Sequence, residues 1–523
     1  MEKAIQLGKT SAKGSFHLFV GVTVSTMIMA VGTIILARLM TQSEYGLYSI
    51  ALIPSNMMIL FRDWGVNSAI TKYTASLRAE NKENHTKNII YAGLTFEILT
   101  GTALSLLSLL LSNFIATTVF HRPELTFLIA IASTTILFSA ILTVVQSTFI
   151  GFERMELNSL TIICQAIGKT IISSILVLIG YSALGAVLGY TISLMIAALT
   201  GIMLLYFYVF RKIRMEKTQR TKIKETLKKM LKYGVPLSIS SILNGFLIQF
   251  YAFLMAIYCT DAMIGNYQVA TQFAIILTFF TGPILTVLFP AFSKINPKNE
   301  EKLLQTVFAA SIKYASIILI PVTMAVMVLS KPMVVTLFGE KWGYAPLFLT
   351  LYVVDNLFVI FGTLSLGSFL SGIGETKMLM KLGLINMAIG IPMAFILIPS
   401  LGIIGLILTI ILAKKPSMIL GLYWVWKHYQ VKADFNFSIR ILLSSGVAAT
   451  ITYMLVNAVN TLAWVKLIVG GIVFFTICLT TTPAIRAVSK TDVENLKIML
   501  SGFGVISKLL NIPLVLAQKI ARP

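Results

Sequence analysis

Apolar runs of about twenty residues recur along the whole chain, each closed by a short polar or basic break. A run of that length is what an α-helix needs to cross some 30 Å of hydrocarbon at about 1.5 Å per residue. The pattern predicts about fourteen such helices, over 14–37, 45–63, 88–112, 125–150, 157–179, 183–210, 234–258, 266–289, 311–330, 345–372, 378–398, 401–424, 439–459 and 463–483. An all-α polytopic membrane protein is expected. The first run begins near Phe16 and has no small-residue cleavage site near its end, so it reads as the first helix rather than as a removed signal.

The breaks between runs orient the chain. With the N-terminus inside, the inner segments hold 33 of the 42 Lys and Arg residues and the outer ones hold 5. That asymmetry places both ends in the cytoplasm. Trp64, Trp424 and Trp426 fall at inner ends of spans, and Trp342 and Trp464 at outer ends, where an aromatic belt belongs.

Composition agrees and narrows the chemistry. Of 523 residues, 57% are hydrophobic and 12% charged, about half the charged fraction usual in soluble domains. The net charge of +22 would suggest nucleic acid in a soluble chain. Here it is read as topology and contact with anionic inner-leaflet lipid. Cys164, Cys259 and Cys478 lie in apolar runs without paired spacing, and His17, His85, His121 and His428 are scattered, so neither a disulfide framework nor a metal site is expected.

The longest polar stretch, residues 211–234, carries ten basic residues and divides the chain after six runs. It reads as a linker on anionic lipid, with 211–233 preceding the second set. A weak repeat supports the division. Residues 37–51 and 256–270 align at an offset of 219 with five identities: Ala37 and Ala256, Thr41 and Thr260, Gly46 and Gly265, Tyr48 and Tyr267, Ala51 and Ala270. Both stretches cover the outer turn between the first two helices of a six-helix set. Six is even, so the two sets share one orientation, as a parallel repeat about the membrane normal would have it. Two lobes are expected, 1–215 and 216–430, then two further helices in 431–484. The tail, 485–523, is basic and amphipathic, with Ser489 or Thr491 as a helix cap. Lobes of this kind enclose a midplane site and alternate its access, an analogy of fold that names no substrate.

Seven ionisable residues at membrane depth or at a span end are taken as functional candidates by position. Lys169 lies deep in the fifth span, Glu97 in the third and Asp355 in the tenth. Arg62 and Asp63 close the second. Lys414 and Lys415 sit side by side in the twelfth, before Pro416. Each has a plainer reading. Arg62 and Asp63 would mark the interface, with Arg62 paired locally. Glu97 or Asp355 would serve either as a structural partner of a lysine or in ion coupling. Lys169 would have to climb most of a leaflet to reach water, which favours a cavity. Adjacent lysines differ by about 100° around a helix, so both cannot face one narrow lumen squarely. Pro416 frees the carbonyl of Leu412, and a lysine ammonium could serve it. The candidate lumen cations are thus Lys169, Lys414, Lys415 and Arg62, and the ion-coupling or charge-partner candidates are Glu97, Asp355 and Asp63. The slight basic excess suits a phosphate or diphosphate head group.

Five stretches in order carry a family resemblance: "ILARLMTQSEYGLYSIA" (35–51), "FRDWGVNSAITKYTA" (61–75), "STFIGFERM" (147–155), "LKYGVPLSISS" (231–241) and "LSKPMVVTLFGEKWGYAPLFL" (329–349). With them the chain resembles the polysaccharide-biosynthesis (O-antigen-type) flippases of the multidrug/oligosaccharidyl-lipid/polysaccharide exporter superfamily. The resemblance implies a prokaryotic plasma-membrane flippase that turns a polyprenyl-phosphate- or diphosphate-linked sugar to the outer leaflet for surface polysaccharide, lipopolysaccharide or glycoprotein assembly, alongside other assembly proteins. No cofactor is implied beyond H+ or Na+ coupling. Many relatives carry an acidic residue near 248–256, where this chain has only Gln249 and Tyr251, and "FVGVTVSTMIMA" (19–30) lacks the arginines of the lipid II branch. The alternatives are a cation-coupled multidrug exporter, which would favour an acidic lumen, and a membrane glycosyltransferase or polymerase, for which outer loops of about a dozen residues leave little room.

Overall fold

A computed structural model describes residues 2–80, 83–211, 223–297, 299–431, 435–485 and 487–500. The central part of the expected linker, 212–222, and the distal tail, 501–523, lie outside them. Every regular element among the described residues is helical.

Two compact units emerge, 1–265 and 266–523. The first holds α1 (Glu2–Leu39), α2 (Gln42–Leu60), α3 (Val66–Ala79), α4 (Glu83–Phe114), α5 (Leu125–Gly151), α6 (Met155–Leu176), α7 (Ser182–Leu205) and α8 (Ile223–Tyr258). The division falls near the start of α9 (Asp261–Ser293). The second holds α10 (Glu301–Val328), α11 (Ser330–Phe338), α12 (Ala345–Val353), α13 (Thr363–Gly372), α14 (Thr376–Tyr429), α15 (Phe435–Ala458), α16 (Ala463–Ala484) and α17 (Lys490–Leu500).

Among the described residues nine helical runs are long and apolar enough to cross a membrane, or ten when the pair Ala345–Phe361 and Thr363–Gly372, bent by 56°, counts as one. The helices therefore do not by themselves establish fourteen crossings. Two runs are over-long, with 56 residues in Met155–Phe210 and 54 in Thr376–Tyr429. At about 1.5 Å per residue each exceeds two bilayer cores. Each is broken by a residue with non-helical dihedrals, Gly180 and Gly402, close to the turns expected from sequence. α2 and α9, also expected as spans, are not among the nine.

Lipid tails are as apolar as leucine, so helix association here rests on close packing and hydrogen bonds between helices. In the first unit α1 and α6 show this with an eleven-residue repeat, three helical turns. Ser159 donates to the carbonyl of His17 at 2.9 Å and Thr170 to that of Ile28 at 3.1 Å. A Cβ on Gly21 or Gly32, four residues after each acceptor, would collide with the same serine or threonine. At the start of α2, Thr41 and Glu44 form a reciprocal capping box. There Gly46 lies against the carbonyl of Asp261, and Gly265 against that of Gln42. Both pairs obey the offset of 219, so the contact is reciprocal. Arg122 adds a clamp on this turn, pairing with Asp261 at 2.6 Å and donating to the carbonyls of Ala256 and Cys259.

In the second unit Phe292, Phe308 and Phe369 meet edge-on or tilted, with centroids 5.2–6.3 Å apart, and Tyr429 stands 5.7 Å from Phe369. The short α17 docks through Val488 and Val493, packed with Ile317, Phe437 and Leu479. Ser489 caps it, its hydroxyl accepting from the Asp492 amide while the Asp492 carboxylate accepts from the Ser489 amide. Lys313 of α10 reaches the same carboxylate at 2.6 Å. Burial alone would push the Asp492 carboxyl up, but the hydrogen bonds from Lys313 and Ser489 outweigh it and hold it below the usual carboxylate range. A depressed carboxyl stabilises the docked state above the ordinary carboxylate pKa of about 3.9. That contribution is lost as pH falls through the lower folded value. Asp492→Asn is therefore expected to loosen α17 at neutral pH by about 1.5 kcal/mol, the low end for a bond to a charged group, because Lys313 is 33% exposed. Amide exchange of 490–497 at pH 7 checks this. Unchanged protection in the variant would refute it.

Candidate functional site

Three polar centres sit on the apolar scaffold, two in the first unit and one in the second. Lys169 follows from the α1–α6 repeat. It precedes Thr170, whose bond to Ile28 fixes the register of α6. Its ammonium lies 5.0 Å from the ring centroid of Tyr190 on α7 and has the Tyr48 hydroxyl of α2 as a hydrogen-bonding neighbour. Tyr48 is 7% exposed and stacks obliquely on Tyr45. No carboxylate among the described residues of this unit pairs with Lys169. A half-buried cation is thus held by the hydroxyl of Tyr48 and the ring face of Tyr190.

The second centre gathers at the turn between α2 and α3. Arg62 is 3% exposed, and its Nε lies 2.9 Å from the carboxylate of Glu97 on α4, which is fully buried. Its terminal nitrogens donate to Ser139 at 2.9 Å and Thr143 at 2.8 Å, both on α5. Asn67 of α3 donates from its side-chain amide to Asp63 at 2.8 Å and to Glu97 at 2.7 Å. Arg62, expected as either an interface marker or a lumen cation, is placed inside the helix packing, and its partner lies 35 positions away in sequence rather than nearby. Glu97, expected either as the partner of a lysine or in ion coupling, pairs with this arginine. Asp63 is half-buried beside them.

The third centre is in the second unit. Between α12 and α13 the chain tightens into a 3-10 segment, Val354–Phe361, which ends at Gly362 with φ 82°. Asp355 lies at its start. Lys415 approaches one carboxylate oxygen at 2.6 Å and Lys414 the other at 3.3 Å. Lys415 also stands 3.3 Å from the ring centroid of Phe358. The expected use of a lysine for the carbonyl freed by Pro416 is corrected, since both ammoniums turn to Asp355. Adjacent lysines about 100° apart converge because long stems reach around the helix to one acceptor. They remain unequal, with Lys414 52% and Lys415 14% exposed. Tyr352, one turn before Asp355, packs at 6.2 Å on Tyr267, the counterpart of Tyr48 under the offset of 219.

With all groups ionised, the first centre carries one positive charge and the third carries two against one. The second carries one positive charge against two negative. Two of the three can therefore receive an anion. Among the described residues no cluster of three His, Cys, Asp or Glu could hold a metal ion. The sequence reading missed Tyr190, Ser139, Thr143 and Asn67. Only Tyr48 had a signal, as one of the five repeat identities.

Known proteins bear on this arrangement. A family described as polysaccharide biosynthesis protein matches residues 11–296. The chain is 21% identical over 267 residues to the probable low-salt glycan biosynthesis flippase of Haloferax volcanii, a match covering 51% of this chain and 55% of that protein. The match thus spans about half of that relative's length. The chain is 24% identical over 396 residues to the lipopolysaccharide biosynthesis protein WzxC of Escherichia coli, covering 74% and 75%. Among solved structures, lipid II flippase MurJ in an inward closed conformation aligns with a TM-score of 0.70 at 16% identity, over 89% of this chain and 98% of that one. An inward-facing multidrug resistance MATE transporter of the MOP superfamily aligns with a TM-score of 0.62 at 16% identity, over 79% and 98%. At such identities these two likenesses speak for the fold alone.

Proposed function

The chain belongs to the polysaccharide biosynthesis protein family, and on that footing we propose that it is a flippase that carries a polyprenyl-phosphate- or diphosphate-linked oligosaccharide from the inner to the outer leaflet of a prokaryotic plasma membrane. The observation that carries the reading is Lys169. A lysine at the bilayer centre costs about 2.5–3.5 kcal/mol on insertion scales, and this one has no carboxylate among the described residues of its unit to offset that. Tyr48 and Tyr190 hold it by hydroxyl and ring instead, which leaves its charge for an anion. A phosphate head group suits lysine as a point charge, while the lipid tail stays in hydrocarbon. The names of the two relatives support the same class of cargo. The pair of lysines on Asp355 supplies a second net-positive patch. In this proposal access to the head group alternates between the two sides of the membrane as the two expected lobes rock.

Extraction of polyprenyl-linked sugars from a deletion strain tests the proposal. The expected result is glycan-lipid accumulating on the inner leaflet, with surface polysaccharide reduced and both restored by the intact gene. Normal glycan-lipid levels together with normal surface polysaccharide would sink it.

A further inference from the structure

A cavity apart from the three centres is built from charges of both signs. It has a volume of about 420 Å3, within the range of small-ligand sites. Its walls are His17 of α1, Arg78 of α3, and Phe152, Glu153, Arg154 and Glu156 where α5 passes into α6. The turn between those two helices is strained. The Glu153 amide donates to the carbonyl of Ile150 at 3.0 Å and the Arg154 amide to that of Phe149 at 2.8 Å. This is the helix ending whose left-handed residue is usually glycine. Here that residue is Glu153, with φ 58°. Its side chain carries a steric cost that the turn does not require, so the carboxylate calls for another reason. Arg78 holds the turn in place, donating to the Phe152 carbonyl at 2.6 Å and lying 5.3 Å from the centroid of its ring. Opposite, Ser159 of α6 donates to the carbonyl of His17, and Gly14 lets α1 come close to Met155.

Two arginines stand against two glutamates. Arg78 and Glu153 are 3.9 Å apart and Arg154 and Glu156 3.2 Å, with all four side chains 31–50% exposed. Exposed pairs of this kind are worth little, so they yield readily to a ligand that carries a charge of each sign. A plain anion would gain no net attraction from these four. The depth of the cavity adds a third requirement. On its span side Phe16 and Phe19 of α1 and Leu160 of α6 are exposed apolar residues, placed where hydrocarbon chains would run. A phosphate, a cationic head and a hydrocarbon tail together describe a zwitterionic phospholipid. The carboxylates select its amine. A primary ammonium donates hydrogen bonds to them, whereas a quaternary one cannot and is recognised by open aromatic faces. The Phe152 ring offers no such face, being 9% exposed and covered by Arg78.

We propose that this cavity binds the head group of a phosphatidylethanolamine molecule from the adjoining leaflet. Arg154 and Arg78 take the phosphate, and Glu153 and Glu156 take the ammonium. The bound lipid fastens the start of α1 to the α5–α6 turn. It is a resident lipid and not the cargo, so the site does not rest on the flippase reading.

The strained turn makes one variant unusually informative. Glu153→Gly relieves the backbone while it removes a carboxylate, so it is expected to fold with an unchanged or higher melting temperature and to lose the lipid. The full-length protein in detergent, supplied with synthetic lipids and followed by native mass spectrometry, is expected to retain phosphatidylethanolamine about tenfold better than phosphatidylcholine or phosphatidylglycerol. Glu153→Gly is expected to abolish that preference, and Arg154→Gln to weaken it severalfold. Equal retention of the ethanolamine and choline lipids would overturn the assignment. A preference for phosphatidylglycerol would overturn it too, and would mark an anionic-lipid surface instead. A preference that survives both substitutions in full would overturn the site. Free phosphoethanolamine competing as well as the lipid would overturn the membrane source of the ligand.

Discussion

Arg62→Ala is expected to destabilise the first unit by about 3–5 kcal/mol, the range seen when one partner of a buried ion pair is removed. The reason is what remains. Glu97 is fully buried and would face Asp63 with no cation between. Ser139 and Thr143 would lose the donors that now engage their hydroxyls. Arg62→Lys separates the two contributions. An ammonium restores the charge but cannot serve Glu97, Ser139 and Thr143 in the planar fork that a guanidinium offers. It should fall between the native protein and alanine. Glu97→Gln, which keeps a neutral balance with Asp63, should be milder than either. Thermal unfolding of the detergent-purified variants, followed by loss of monodisperse protein, reads the order. A loss below about 1 kcal/mol for Arg62→Ala, the size of a surface pair, would show that the centre is open to water rather than buried.

This centre also shows where sequence reading stops. The apolar runs marked the helices because hydrophobicity over twenty residues is a property of the segment, insensitive to how segments pack. Glu97 was visible for the same reason, as a charge in hydrocarbon. Its partner was not. Arg62 meets Glu97, and Ser139 and Thr143 meet Arg62, only because α4 and α5 pack against each other and against the α2–α3 turn. A serine or threonine in an apolar run gives no sign of the helix it faces, since it can also bond its own backbone, as Thr143 does to Ser139. The helix α3 falls in a break between expected spans, because its fourteen residues are too short and too mixed to register as one. In the other unit the sequence leaves Asp355 either as the partner of one lysine or in ion coupling, and gives no sign that both lysines would reach it. That outcome depends on the 3-10 segment that turns Asp355 toward α14, and no spacing rule predicts such a break. Gly46 and Gly265 were legible as one of the five repeat identities, but their meeting was not; the close backbone approach explains why each copy has a glycine there.

Lys169→Glu is expected to abolish flipping, and Lys169→Met to reduce it about 10- to 100-fold, as the loss of one charge-assisted contact of about 1.5–3 kcal/mol predicts. The glutamate is the harsher change because it sets a negative charge between Tyr48 and Tyr190, where a phosphate would meet repulsion as well as a missing partner. Methionine has similar length, so packing on Tyr190 survives and the register of α6 on α1, held by Ser159 and Thr170, is kept. A structural role for Lys169 would give a different pattern: both variants would lose protein level in the membrane along with activity. Complementation of the deletion strain, with membrane abundance measured in parallel and flipping assayed in proteoliposomes, distinguishes the two. Tyr190→Phe retains the ring under the ammonium and removes a hydroxyl, so it should retain most of the activity. Tyr48→Phe removes the hydrogen-bonding neighbour that orients the ammonium, and it should show the larger defect. Full flipping by Lys169→Met at normal abundance would remove Lys169 from the path of the head group.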